Sequence, residues 1–177
     1  MEDAPARVRR IFGEQCRFVW RYLRRLGLSE AEADDVAQKV FMVLARRIDE
    51  VERDKERSFL CGTAVRVCSE HRRRQAQRLE LAQGAALGAG EGAPLPDDIA
   101  DRRRARALLD EVLGKMGLDL RAVFVLFELE ERSMAEIAEL LGLPAGTVAS
   151  RLRRARESFR AIVRRMRAGG QLPGGGR

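Results

Sequence analysis

The stretch from Ser133 to Arg156, SMAEIAELLGLPAGTVASRLRRAR, leaves few backbone solutions open. It begins with Ser133-Met134-Ala135-Glu136, the S-x-x-E form in which serine and glutamate side chains satisfy backbone N–H groups left free at a helix start. Gly142 closes the following apolar run and Pro144 comes just after it, so one helix ends here and another begins at once. Val148, Leu152, Ala155, Phe159, Ile162, Val163 and Met166 then recur at the spacing of a single helical face. Ala138 lies four residues before Gly142 and ten before Val148. A small residue lets the two helices approach, glycine permits the tight turn, and valine packs the second helix onto the first; this is the spacing of a helix-turn-helix.

The rest of the chain is also helical in pattern. Leu, Ala, Arg and Glu dominate and aromatic residues are only 5%, which favours helix over sheet. A first helix is expected from about Ala6 to Leu26, stopped by Gly27. A second capping box, Ser29 to Glu32, opens a helix whose core face is Val36, Val40, Val43, Leu44 and Ile48. The charged stretch 49–57 reads as a solvated connection to a third helix, about Ser58 to Leu81, whose second half is basic. Residues 83–98, QGAALGAGEGAPLPDD, lack Lys and Arg and are rich in Gly, Ala and Pro, as a flexible linker is. Beyond it, a helix from about Asp101 to Met116 and an almost wholly apolar one, Ala122 to Leu129, precede the helix-turn-helix. The expectation is an all-α protein of two small helical domains, residues 1–82 and 99–168, with an unstructured tail at 169–177.

Charge narrows the function. Lys and Arg outnumber Asp and Glu by 34 to 27, a formal net charge of +7 that suits a polyanionic partner. Between Thr147 and Arg167 lie Arg151, Arg153, Arg154, Arg156, Arg160, Arg164, Arg165 and Arg167, against the single acid Glu157. The second helix of the helix-turn-helix is therefore a candidate reader of the DNA major groove, its early residues meeting base edges and its cations meeting phosphates. No apolar run is long enough to span a membrane, so no membrane insertion is expected. The opening MEDAPARVRRIFGEQC lacks a secretory signal, which points to the cytoplasm. Cys16, Cys61 and Cys68 do not read as a disulfide framework.

Three segments resemble one family. GLPAGTVASRLRRARESFR, residues 142–160, is similar to the G-[IV]-P-x-G-T-V-K-S-R-L-x-R-A-R end of bacterial sigma factors of the extracytoplasmic-function (ECF) group. Residues 32–41, EADDVAQKVF, resemble the D-A-E-D-[LV]-x-Q-[ED]-[VT]-F segment of that family's first conserved domain. SFLCGTAVRVCSEHRRR, residues 58–74, resembles its promoter-melting segment, W-L-x-x-I-A-R-N-x-x-x-D-x-x-R-R. The three occur in the family's order and spacing.

The resemblance implies core RNA polymerase as partner, through its β′ clamp helices and β flap, together with promoter DNA and an anti-sigma factor. Asp34, Asp35, Gln38 and Phe41 match the surface that docks on a β′ clamp helix, although two acids at a helix start also complement the helix dipole. Arg57, Phe59, Arg66, Glu70, Arg72, Arg73 and Arg74 match positions that handle the single strand of the −10 element, and the 49–57 connection matches a loop that captures a flipped base. Phe59 is better suited to a core than to stacking a base. Ser150, Arg153 and Arg154 match base-reading positions for the −35 element, with Thr147, Arg151 and Arg156 placed for phosphates. The linker acids Glu91, Asp97 and Asp98 match a segment that runs through basic polymerase channels, and serve equally as a solvated spacer. Ala149, Phe59, Arg66 and Glu70 depart from the usual Lys or Arg, Trp, Asn and Asp.

Other classes find less support. His71 is the single histidine, with Glu70 as its only neighbouring carboxylate, and Cys68 and Cys61 give it no second histidine or C-x-x-C. No metal, cofactor or catalytic group is expected. A regulator that binds duplex operators without joining polymerase would share the helix-turn-helix, but would leave the first two resemblances without a purpose.

Overall fold

Asp3 begins the first helix: its carboxylate accepts a 2.7 Å hydrogen bond from the Ala6 N–H, with Pro5 in the first turn where no backbone donor is needed. The structure, a computed structural model, describes residues 3–81 and 97–170. Helix α1 runs Ala4–Arg25, α2 Glu30–Arg46 and α3 Glu56–Leu81. After the undescribed segment come α4 Asp97–Gly114, α5 Leu118–Phe124, α6 Met134–Leu141 and α7 Ala145–Ala168. Short wide or tight turns complete it, a 3₁₀ turn at Ile48–Glu50 and a π turn at Val125–Leu129. Among the described residues every regular element is helical, and no helix is long and apolar enough to cross a membrane.

The expected elements are present, with shifted ends. α4 starts at Asp97, inside the stretch read as linker, because Asp97 and Asp98 suit a helix N-terminus. The remainder of that linker, Glu91 included, and the tail beyond Gly170 lie outside the described residues. The apolar run 122–129 is buried as expected but is not one α-helix: α5 ends at Phe124 and the chain widens into the π turn.

The first half packs α1, α2 and α3 around Tyr22, Leu23, Leu26, Val36, Val40, Leu44, Leu60 and Ala64. In the second half α7 lies along α4, α5 and α6, burying Val148, Leu152, Ala155, Ile162 and Met166 against Leu113, Val123 and Leu126. Both predicted capping boxes form: Ser29 and Ser133 each exchange two hydrogen bonds with the glutamate three residues on. Cys16, Cys61 and Cys68 are free thiols, and burial pushes that of Cys61 up to about 12.

The halves also pack on each other, α3 against α6 and α5. Arg121 of α5 is fully buried and donates to Leu26 O at 2.5 Å, Gly114 O at 2.6 Å and Met116 O at 2.8 Å. Arg72 of α3 donates to the same Leu26 carbonyl at 2.5 Å. Burial, with Arg72 adding like-charge repulsion, lowers the Arg121 guanidinium to about 10. Gly27 sits beneath this pair at φ +93°, and a Cβ built there would stand 2.1 Å from Arg121 Nη1 and 2.6 Å from Arg72 Nη2. Glu130 ties the same seam by ion pairs to Arg21 and Arg25 of α1, and Lys55 pairs with Glu139 of α6.

Candidate nucleic-acid and polymerase interfaces

The helix-turn-helix is built as its spacing requires. Gly142 takes φ +62°, Gly142 N–H donates to Glu139 O at 3.3 Å and Leu143 N–H to Ala138 O at 2.9 Å, a Schellman pair that stops α6. Pro144 precedes the first residue of α7, and Val148 is completely buried against the first half of the motif. With Val148, Leu152 and Ala155 turned inward, the opposite face presents Ala149, Ser150, Arg153, Arg154 and Glu157 to solvent.

The six residues proposed for this helix separate into two groups. Ser150, Arg153 and Arg154 are exposed; the Ser150 hydroxyl donates to Thr147 O at 3.0 Å and Arg153 pairs with Glu157 at 3.0 Å. Arg154 has no polar partner among the described residues, so its guanidinium is available to a ligand without breaking a bond. Thr147, Arg151 and Arg156 are half-buried. Arg151 reaches Asp119 at 3.5 Å, and Arg156 bonds Glu128 at 2.7 Å while its guanidinium lies 4.9 Å from the Phe127 ring centre. These two cations help hold α7 to α5 and to the π turn that follows it.

On α3, Arg66, Glu70, Arg73 and Arg74 are exposed, with Glu70 and Arg74 3.8 Å apart. The other matched residues are engaged inside the protein. Arg72 caps the end of α1 as described above. Arg57 lies over the Phe18 ring at 4.1 Å, and burial, with Arg132 beside it, lowers its pKa. Phe59 is half-buried under the Arg47 guanidinium at 5.6 Å. It lines a groove of about 410 Å³ with Lys55, Gly62, Thr63 and Arg66, whose far wall is Glu139, Leu140 and Leu141 of α6. The helix-turn-helix thus covers the side of α3 that carries Phe59.

A second groove, about 640 Å³, runs between α1 and α2 and is mainly apolar. Phe41 is its buried floor and Phe12 and Met42 are its exposed walls, 51% and 47% accessible; the two Phe rings meet edge to face at 4.9 Å. Asp34 and Gln38 stand on its rim, where Asp34 accepts the Trp20 Nε1–H at 2.7 Å. Asp35 falls on the other side of α2, in a polar groove with Glu32, Lys39, His71 and Arg74. Sequence reasoning missed Phe12, Trp20 and Met42. Phe12, Cys16 and Trp20 recur at i, i+4 and i+8, an apolar stripe beside the one formed by Ile11, Val19 and Leu23, and that second stripe was the available signal.

The partner of His71 is Glu32, not Glu70. His71 Nε2 and Gln75 Nε2 each lie 3.0 Å from Glu32 Oε1. Burial pushes the Glu32 carboxyl up, but bonds from His71 and from the Ser29 backbone and hydroxyl outweigh it and hold the pKa at about 2. Among the described residues no three His, Cys, Asp or Glu side chains converge on a point where a metal could sit.

Comparison with known proteins matches two stretches of the chain. The family described as Sigma-70 region 2 matches residues 12–78, and Sigma-70, region 4 matches residues 106–159. The ferric citrate uptake sigma factor FecI of Escherichia coli (strain K12) is 32% identical over 139 residues, 78% of this chain and 80% of FecI. ECF RNA polymerase sigma factor SigL of Mycobacterium tuberculosis (strain CDC 1551 / Oshkosh) is 29% identical over 164 residues, 91% of each chain. The chain belongs to the ECF sigma factors.

The fold of this sigma factor is shared with CnrH in its complex with the cytosolic domain of CnrY, at a TM-score of 0.62 and 25% identity over 88% of this chain and 86% of that one. RpoE bound to the anti-sigma factor NepR, from Bartonella quintana, has the same fold at a TM-score of 0.67 and 17% identity, over 88% and 96%. As a sigma factor the chain is a promoter-specific member of a family of non-enzymatic initiation factors. A duplex-operator regulator is not favoured, because region 2 accounts for the first half.

Proposed function

We propose that this sigma factor carries core RNA polymerase to a −35-like element with residues 99–168 and helps open a −10-like element with residues 1–82, the acidic linker joining the two. Arg154 carries the first part of this reading: it is exposed on the outer face of a helix-turn-helix and has no polar partner among the described residues. Two parallel N–H donors on such a guanidinium suit the O6 and N7 atoms of guanine. Ser150 and Arg153 flank it; Arg151 and Arg156 reach phosphate by exchanging their ion pairs with Asp119 and Glu128, and Thr147 offers its hydroxyl beside them.

The apolar groove between α1 and α2 supports docking on polymerase. Exposed Phe12 and Met42 around a buried Phe41, with the carboxylate of Asp34 on the rim, suit an amphipathic helix that carries both apolar and basic side chains. A clamp helix of β′ is such a partner. Arg66, Arg73 and Arg74 face solvent and suit the phosphates of a separated strand, while Phe59 can stack a base only after α6 leaves its side of α3. RpoE is bound to an anti-sigma factor and CnrH to the cytosolic domain of CnrY, and we extend an anti-sigma partner to this chain, acting in the cell interior without a cofactor.

Runoff transcription with purified core polymerase and a genomic fragment library tests the proposal. Promoter-dependent transcripts that require the added chain are expected. No such transcript from any fragment overturns it.

A further inference from the structure

Nine residues, 47–55, join α2 to α3, and the family resemblance matches 49–57, most of this connection with the first two residues of α3, to a loop that receives a base of the melted strand. A connection this charged, DEVERDK at its centre, has little reason to keep one shape unless something holds it. The 3₁₀ turn at Ile48–Glu50 and the burial of Ile48 and Val51 fix part of it. Asp54, at φ +70°, bends the chain back towards α3.

The remaining restraint comes from a residue far away in sequence. Arg7, in the second turn of α1, is 8% exposed. Its Nη1 donates to Ile48 O at 3.1 Å and its Nη2 to Val51 O at 2.8 Å. Nη2 and Nε also donate to Glu56 Oε1, at 2.8 and 3.2 Å. One planar fork thus gathers the beginning of the connection, its middle and the first residue of α3. Asp49, Glu50, Glu52, Arg53, Asp54 and Lys55 are left exposed. Glu56 is itself enclosed, its side chain 13% accessible, with Arg10 Nη2 3.7 Å away.

Arg7 is too buried to touch DNA, and a single ion pair between α1 and α3 would need only Glu56. The two carbonyl bonds are the informative ones: they restrain the connection and do nothing for the packing of the helices it joins. We propose that Arg7, anchored by Glu56, is a positioning residue that sets the shape of the 47–55 connection and through it the choice of base at the melted promoter element. This rests on the proposed function, since it presumes that the connection meets the strand. Lysine cannot replace the residue, because one ammonium cannot span two carbonyls and a carboxylate as a planar fork does.

The test uses full-length chain assembled with core polymerase. Fluorescent single-stranded oligonucleotides of the nontemplate −10 region carry each base in turn at each position, and their Kd values give a discrimination ratio per position. The parent is expected to prefer one base by about tenfold or more at one position at least. Arg7→Lys is expected to bring that ratio to within about threefold of unity, with affinity for core polymerase and for upstream duplex unchanged. A purely structural role would lower the melting temperature and leave the ratio of the folded holoenzyme alone. An Arg7→Lys chain that is folded by circular dichroism and keeps the parental ratio overturns the role of Arg7. If Arg7→Lys does not fold, Glu56→Gln decides in the same way: a reduced ratio supports the anchor and a parental one overturns it. A parent holoenzyme that binds all the oligonucleotides alike overturns the reading of the connection, and the role of Arg7 with it.

Discussion

Gly27→Ala and Gly142→Ala make a matched pair, because both glycines end a helix in the left-handed region, at φ +93° and +62°. An alanine in that conformation costs about 1–2 kcal/mol wherever it occurs. At Gly142 nothing lies within 4 Å of the added Cβ, so that cost is the whole expectation. At Gly27 the Cβ would stand 2.1 Å from Arg121 Nη1. The end of an arginine usually moves aside at little cost, but Arg121 is fully buried and bonded to three carbonyls. Moving it breaks at least its bond to Leu26 O, and a hydrogen bond from a charged donor contributes about 1.5–3 kcal/mol. Gly27→Ala should therefore cost about 3–5 kcal/mol, roughly 2 kcal/mol more than its counterpart. Urea unfolding of both variants reads the difference. Repeating Gly27→Ala in an Arg121→Met background should bring its cost down towards that of Gly142→Ala, leaving only what the Arg72 guanidinium, 2.6 Å from the same Cβ, adds. Equal costs in the parent, or an undiminished cost without Arg121, would refute the argument.

Arg154→Ala should weaken binding to the cognate upstream duplex by about tenfold to a hundredfold, measured by fluorescence anisotropy, while core polymerase binding is unchanged. Phe12→Ser should weaken core polymerase binding by about tenfold in a titration, because roughly half of a Phe side chain remains to be buried on docking; Asp35→Arg, on the polar side of α2, should do less. Glu32, with its folded pKa near 2 against an ordinary 4.5, stabilises the fold above about pH 4.5 and loses that contribution as the pH falls towards 2. Urea midpoints between about pH 5 and pH 2.5 should fall more steeply for the parent than for Glu32→Gln.

What the sequence made legible was local. Ser29 with Glu32, Ser133 with Glu136, and Gly142 with Leu143 close hydrogen-bonded rings within a few residues, so their spacing carries the information. Asp97 and Asp98 were misplaced in the linker because composition was weighed over the affinity of acids for a helix start. Arg121 could not be read at all: it precedes an apolar run as any surface arginine could, and the Leu26 carbonyl that receives it is 95 residues away. The same holds for Glu32 and His71, 39 residues apart, and for Arg7 and Val51, 44 apart. On the surface proposed to face polymerase, the matching segment included Phe41 but not Phe12, because the floor of the groove belongs to α2 and its exposed wall to α1. Among the recognition-helix residues, the helical period alone separates exposed Ser150, Arg153 and Arg154 from half-buried Arg151 and Arg156.

The two seams between the halves differ in what the arginines and lysine hold. Lys55 and Glu139 are about half exposed, 51% and 50%, and join the connection before α3 to α6 by charge against charge. Exposed pairs of this kind weaken as salt is added, the Debye length shrinking from about 10 Å at 0.1 M to about 3 Å at 1 M. Arg121 instead holds neutral carbonyls out of contact with solvent, and added salt has little to screen there. Rising ionic strength should therefore weaken the Lys55–Glu139 contact more than the hydrogen bonds by which Arg121 fastens α5 to the end of α1.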